Sequence, residues 1–297
     1  MDTTGGRAAG ESPGRAAALA AVLVPRDSIT AGLTFIDSGD QVKDPGSKRR
    51  WFRFRCLAAA VLLLAMVATA CTPPEPEQRS QGKYPWHTNI VATTFWVGEV
   101  FDPNAADGSQ VFSTYDSKWM DSYGGCDGRL TSDGCETEPR SGSNGYAPAN
   151  MKPKENPFYL DLPYDDINNV AAFRERATVI PWANDEGYKG QATNRSFSYM
   201  KNRWVKIRKD GKECYGQIQD AGPGEYQDKE YVFGANDARP ANKKFNGAGM
   251  DVSPALNGCL GFSTLNGEAD KVDWQFVDQK DVPPGPWLDV VTTSQVK

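Results

Sequence analysis

The dipeptide Asp210-Gly211, set between the β-prone runs RWVKIRK and KECYGQIQD, constrains the fold of this 297-residue chain more than any other feature. A two-residue type I′ turn needs positive φ at both central positions, and Asp-Gly supplies them, so the two runs are predicted to pair as an antiparallel hairpin in one register. Beyond the turn, Cys214, Gly216 and Ile218 alternate with Tyr215, Gln217 and Gln219, and this period of two predicts a half-buried strand ending at Asp220 in DAGPG. Further on, Val272, Trp274 and Phe276 alternate with Asp273, Gln275 and Val277. A last strand with one apolar, aromatic face is expected there.

Taken in order, VKI, GQIQDAGPG, GMDVSPAL and VDWQFVD resemble the double-psi β-barrel shared by rare lipoprotein A, the expansins and the family-45 endoglucanases. FYLDLP (158–163) is similar to an earlier strand of that barrel, and ATTFW (92–96) to its first. The resemblance implies a mainly β fold, a six-stranded double-psi β-barrel with long loops and a few short helices.

The N-terminal part divides by composition. Lys48, Arg49, Arg50, Arg53 and Arg55 precede an apolar run from Leu57 to Ala70. At 14 residues this run is shorter than the roughly 18–20 needed to span a bilayer as a helix, so it reads as a signal peptide. It ends in VATAC, where small residues before Cys71 resemble the bacterial lipobox. That resemblance implies that Cys71 carries lipid and anchors the protein to the membrane, with an ordinary secretory signal as the alternative. Thr72-Pro73-Pro74-Glu75-Pro76-Glu77 follows as an extended tether, because proline excludes helix and stiffens the chain. The expected organisation is an untranslated or disordered leader at 1–41, a lipoprotein signal at 42–70, a Pro-rich tether at 71–85 and one barrel domain at 86–297. A cytoplasmic tail or an unusually long signal are the other readings of the leader.

Charge and cysteine usage narrow the function classes. Net charge is −5, and becomes −8 without the nine Lys/Arg and six Asp/Glu of residues 1–70. Such an acidic domain is a poor nucleic-acid binder. Of six cysteines, Cys56 lies in the signal and Cys71 at its end, leaving Cys126, Cys135, Cys214 and Cys259. Four cysteines allow three connectivities. The favoured one pairs Cys126 with Cys135, stapling a glycine-rich loop, and Cys214 with Cys259, tying a strand to the LNGCLG turn. Neither CxxC nor HxxxH spacing occurs, so no metal site is expected. His87 is the only histidine and sits in a proline-flanked segment, which argues against a Ser-His-Asp or Cys-His hydrolase. No glycine-rich phosphate loop joins a strand to a helix, and no cofactor is expected.

Between these landmarks, Phe112, Tyr115, Trp119 and Tyr123 recur at helical spacing, predicting a short helix with an aromatic core face. Asn168–Arg176 is a second helix candidate, and 180–189 is expected to be loop because Pro181 and Gly187 break it.

The chemistry centres on acids. Cleaving a glycosidic bond requires a carboxylic acid that stays protonated near neutral pH in a partly desolvated site. Asp251 is the principal candidate: alternation turns it away from Met250 and Val252, and the small residues Gly247-Ala248-Gly249 are expected to let substrate approach. The family-45 resemblance implies the same role, because an aspartate before a Ser/Ala-rich helix start is the general acid there. The structural alternative is a helix cap by Asp251 or Ser253 ahead of Pro254. Asp220 is a second catalytic candidate, against a turn role in which it bonds amides two residues on. A hydrolase also needs a second carboxylate, for which Glu99, Asp102, Asp116 and Asp161 are available. Aromatic faces stack on sugar rings, and Trp96, Tyr159, Trp182 and Trp274 are the candidate substrate-binding residues.

The sequence therefore predicts an exported, membrane-anchored lipoprotein whose barrel binds, and in the enzyme reading cleaves, a cell-wall or environmental polysaccharide as a lytic transglycosylase or glycoside hydrolase. A non-catalytic expansin-like wall-loosening module is the alternative, and a scaffold for a protein partner is a third reading.

Overall fold

The computed structural model describes residues 82–99, 113–267 and 270–297. The leader, the signal segment and Cys71 lie outside the described residues, as do Asp102 and Phe112. Eight strands run in chain order: β1 (His87–Thr94), β2 (Arg129–Thr131), β3 (Gly134–Glu136), β4 (Tyr159–Leu162), β5 (Trp204–Lys209), β6 (Lys212–Ala221), β7 (Met250–Val252) and β8 (Lys271–Val277). Six of them close a barrel in the order β1-β7-β4-β6-β5-β8, and β2 and β3 form a separate ribbon. β1 runs parallel to β7 and β4 parallel to β6, while the other neighbouring pairs are antiparallel. The four short α-helices among the described residues are α1 (Trp119–Tyr123), α2 (Val170–Val179), α3 (Lys229–Val232) and α4 (Pro254–Leu260). The mainly β, six-stranded barrel with long loops and few helices is the fold that forms.

The hairpin is set by its turn. Asp210 and Gly211 have φ of 49° and 80°, and β5 pairs with β6 from Lys209↔Lys212 out to Trp204↔Gln217. On β8, Val272, Trp274 and Phe276 point into the core, as alternation predicts. Strand β6 departs from the half-buried expectation, because every residue from Cys214 to Gln219 is buried. Its outward face is covered by the C-terminal segment: Tyr215 packs on Trp287 at 5.1 Å between ring centroids, and the Gln217 Nε2 donates to the Thr292 carbonyl at 3.0 Å. Alternation in residue type survives on such a strand because its outer positions meet polar partners instead of water.

Helix α1 buries Trp119 and Tyr123. Helix α2 starts two residues later than expected, after the Asn169 cap, whose side chain accepts from the amides of Ala171 and Ala172, and it runs on to Val179. The segment 180–189 is loop, and it delivers Trp182 to the core. Cys126 is bonded to Cys135 and Cys214 to Cys259, with Cα–Cα distances of 5.6 and 6.4 Å. Two formed disulfides fit an oxidising, extracytoplasmic environment. Among the described residues, no helix is long and apolar enough to cross a membrane.

Candidate functional site

Register places one residue from each of four adjacent strands in a row. Thr93 of β1 pairs with Asp251 of β7, Asp251 pairs with Asp161 of β4, and Asp161 pairs with Asp220 of β6. The neighbours Met250, Val252, Leu160, Leu162 and Ile218 are fully buried in the core, so alternation turns the row outward. Asp220 reaches the row through an irregularity. Leu160 faces Ile218 but Asp161 faces Asp220, so β6 carries one extra residue there, Gln219. A bulge of this kind re-aims the side chain that follows it.

Local contacts hold the carboxylates. Asp161 Oδ1 accepts from the Asp251 amide at 2.9 Å, and the Thr93 hydroxyl donates to Asp251. Asp220 Oδ1 accepts from the amides of Thr114 at 2.7 Å and Ala221 at 2.8 Å. The turn role considered for Asp220, bonding amides two residues on, is therefore not the one it plays. The cap at α4 belongs to Ser253, whose side chain accepts from the Leu256 amide, and this leaves Asp251 free of that duty. Gly222 of DAGPG makes room for the row, since a Cβ there would stand 2.8 Å from Asp161 Oδ2.

Crowded acids in a partly dry site hold their protons. Burial pushes Asp251 up to about 7, with the charge of Asp220 adding to the effect. Burial likewise raises Asp220 to about 7, against the Thr114 and Ala221 amides, which favour its charged form. Asp161, 4% exposed, is held well above the carboxylate range by burial and by Asp251 and Asp220 on either side. Glu99 joins from the end of the β1 loop: burial lifts it to about 8, opposed by the Trp96 amide and reinforced by Asp251. Carboxylates on neighbouring strands repel, so they ionise stepwise rather than together. Near neutral pH the row offers both acid and base forms.

Of the proposed second carboxylates, the structure brings Asp161 and Glu99 to Asp251. Asp116 is buried elsewhere, with the Lys297 ammonium 3.5 Å away.

The aromatic candidates need correction. Tyr159, Trp182 and Trp274 are fully buried and cannot meet a sugar ring. The Tyr159 hydroxyl donates to Asp127 at 2.7 Å and accepts from the Val97 amide, the Trp182 indole donates to the Tyr199 carbonyl, and the Trp274 indole donates to the Tyr231 hydroxyl. Large aromatic rings are as favourable to bury as to expose, and here each has an internal partner for its polar atom. Trp96 remains partly exposed, its indole donating to the Cys135 carbonyl at 2.9 Å. The small residues before Asp251 also serve packing rather than access. Ala248 is fully buried, and a Cβ on Gly249 would stand 2.6 Å from the Tyr231 hydroxyl.

Sequence reasoning missed Tyr226, which is 47% exposed and whose phenol is raised by burial and by the charges of Asp161, Asp220 and Asp251. It stands near the row as a solvent-facing ring. Thr93 was within reach of sequence reasoning, lying in the ATTFW strand, whereas Thr114 carried no signal at all. His87 is buried against Trp274 at 4.0 Å, and burial lowers it to about 4. Among the described residues no group of three His, Cys, Asp or Glu side chains is arranged to hold a metal ion.

Comparison with known proteins returns no match to a family model, to a curated protein or to a solved structure.

Proposed function

We propose that this protein is an exported, lipid-anchored glycan-cleaving enzyme that binds a cell-wall or environmental polysaccharide along the acidic row, with Asp251 as general acid. The observation that carries the reading is the alignment of Asp251, Asp161 and Asp220 on adjacent strands, with protons retained near neutral pH. A protonated Asp251 delivers its proton to the glycosidic oxygen as the bond to the anomeric carbon breaks. In transglycosylation a hydroxyl of the same sugar closes on that carbon and returns its proton to the Asp251 carboxylate, so one residue serves both steps. In hydrolysis a second carboxylate activates water.

Strand spacing distinguishes candidates for that base. Asp161 directly faces Asp251, and cross-strand neighbours stand only about 4.5–5.5 Å apart at Cα, which leaves no room for water between them in an inverting reaction. Asp220 lies two strands from Asp251, roughly 9.6 Å by strand spacing, close to the span of about 6.5–9.5 Å that inverting pairs use. Asp220 is therefore the base in the hydrolytic form, and Asp161 keeps the two apart. Trp96 and Tyr226 supply the exposed rings.

The expansin-like alternative is favoured by one feature, the retention of protons by carboxyls that can hydrogen-bond sugar hydroxyls without transferring a proton. Incubating the full chain with peptidoglycan sacculi, cellulose and chitin separates the two readings. Anhydro-sugar products identify a transglycosylase and hydrated ones a hydrolase, and either must disappear in Asp251→Asn. Products that survive that substitution would sink the acid assignment, and retention without products would favour the binding module.

A further inference from the structure

Asp220 stands in the acidic row because β6 carries Gln219 as an extra residue, and the Gln219 side chain is itself held. It is 1% exposed, and both ends of its amide are engaged. Gln219 Oε1 accepts from the Lys201 Nζ at 2.7 Å, and its Nε2 donates to the Asn202 Oδ1 at 2.9 Å. Both partners come from the turn that leads into β5. Asn202 has a φ of 67°, in the left-handed region that asparagine enters more readily than most residues, and its backbone amide donates to the Ile218 carbonyl at 2.8 Å. The turn thus grips β6 by its backbone at Ile218 and by a side chain at Gln219.

Lys201 is a costly residue for this place. It is 1% exposed, and burial pulls it down to about 8, against the Glu155 and Asp116 carboxylates that favour its charge and with the Lys297 ammonium opposing it. Those carboxylates serve other donors: Glu155 Oε1 accepts from the Ser294 hydroxyl at 3.1 Å, and Asp116 Oδ2 faces the Lys297 ammonium at 3.5 Å. A buried ammonium must recover its lost hydration from hydrogen bonds and ion partners. The close bond that Lys201 makes is the one to the bulge. The C-terminal segment supports the same arrangement from two sides, since the Asn202 Nδ2 donates to the Ser294 carbonyl at 2.9 Å, and the Lys297 amide donates to the carbonyl of Tyr115, next to the Thr114 that holds Asp220.

We infer that Lys201 is a positioning residue for Asp220: through the Gln219 amide it keeps the extra residue of β6 in place, and so keeps Asp220 in the row beside Asp161. The catalytic consequence rests on the glycan reading above, in whose hydrolytic form Asp220 is the base. Lys201 then governs hydrolysis without touching substrate. Transglycosylation is spared, because there Asp251 serves both steps.

The test follows the Asp220 carboxyl by carbon-13 NMR titration of the full chain labelled at aspartate, with Asp220→Asn to assign the signal. In Lys201→Met and in Gln219→Met, Asp220 should titrate lower than in wild type by about one pH unit or more, because a loosened bulge lets water reach a carboxyl that burial now raises to about 7. The direction separates positioning from charge, since losing a nearby cation would raise a carboxyl instead. If a single variant fails to fold, Lys201→Met/Gln219→Met replaces the polar pair by two apolar chains of similar length and should show the same fall. An unchanged or raised Asp220 titration in the folded variants overturns the positioning role, whatever the protein acts on. With peptidoglycan sacculi, cellulose and chitin, hydrated products should fall on the order of a hundredfold in Lys201→Met while anhydro-sugar products persist. Hydrated products at the wild-type level would overturn the catalytic consequence. No product from the wild type would overturn the glycan reading alone, since the titration decides the positioning role by itself.

Discussion

Replacing Asp220 by asparagine should stabilise the domain, and the gain should depend on pH. Asparagine keeps an Oδ1 that can accept from the Thr114 and Ala221 amides, which now meet Asp220 at 2.7 and 2.8 Å. It replaces the ionisable Oδ2 by a neutral amino group. In the folded chain burial raises Asp220 from 3.8 to about 7. Between those values the folded state keeps a proton that the unfolded state has lost, so wild-type stability falls as pH rises through the window and levels off above it. At about 1.36 kcal/mol per pH unit the gap corresponds to at most about 4 kcal/mol. Asp220 keeps partial solvent exposure, so about 2–3 kcal/mol is the expected gain at pH 8 once screening is allowed for. At pH 3.5 wild type and variant should coincide. Urea unfolding at several pH values with the disulfides intact reads this directly, and at about 2–4 °C per kcal/mol for a domain of this size the melting temperature at pH 8 should rise by roughly 4–12 °C. A variant that is less stable at pH 8, or that differs from wild type by the same amount at every pH, would refute the argument that ionising the buried Asp220 destabilises the fold.

His87 works in the opposite direction. Its folded value of about 4 lies below 6.5, so the stability linked to its neutral form is complete above pH 6.5 and is lost as pH falls through 4, by about 3 kcal/mol. His87→Phe should remove that acid-side loss, and an unchanged acid limb in its unfolding profile would contradict the assignment. The Cys214–Cys259 bond closes a separation of 45 residues and Cys126–Cys135 one of 9. Chain entropy then assigns about 4 and about 2.6 kcal/mol to them. Cys214→Ser/Cys259→Ser should therefore lower the urea midpoint more than Cys126→Ser/Cys135→Ser, and the reverse order would argue against a loop-closure origin.

The elements legible in the sequence were those fixed by short-range rules. Asp210-Gly211 dictated a hairpin because few residue pairs accept two positive φ angles, and the alternation on β8 dictated which face would be buried. The outward aim of Asp251 followed from Met250 and Val252 in the same way. Buried aromatics were not distinguishable from exposed ones, because Tyr159, Trp182 and Trp274 owe their burial to internal partners such as Asp127 and Tyr231 that lie far along the chain. The cover over β6 was equally hidden, since Thr292 and Trp287 come from the C-terminal segment.

The sequence by itself determined that an aspartate would stand on a strand and face outward, since a strand's period of two is a property of neighbouring residues. Tertiary structure alone decided that Asp161 and Asp220 stand beside it. Their meeting depends on β4 lying between β7 and β6 and on the extra residue Gln219 shifting the register. Strand order and bulges are set by the packing of the whole barrel. The raised pKa values follow first from burial of these carboxyls in the assembled barrel and then from the charges brought near Asp161 and Asp251, and both depend on distance in space and not on separation along the chain.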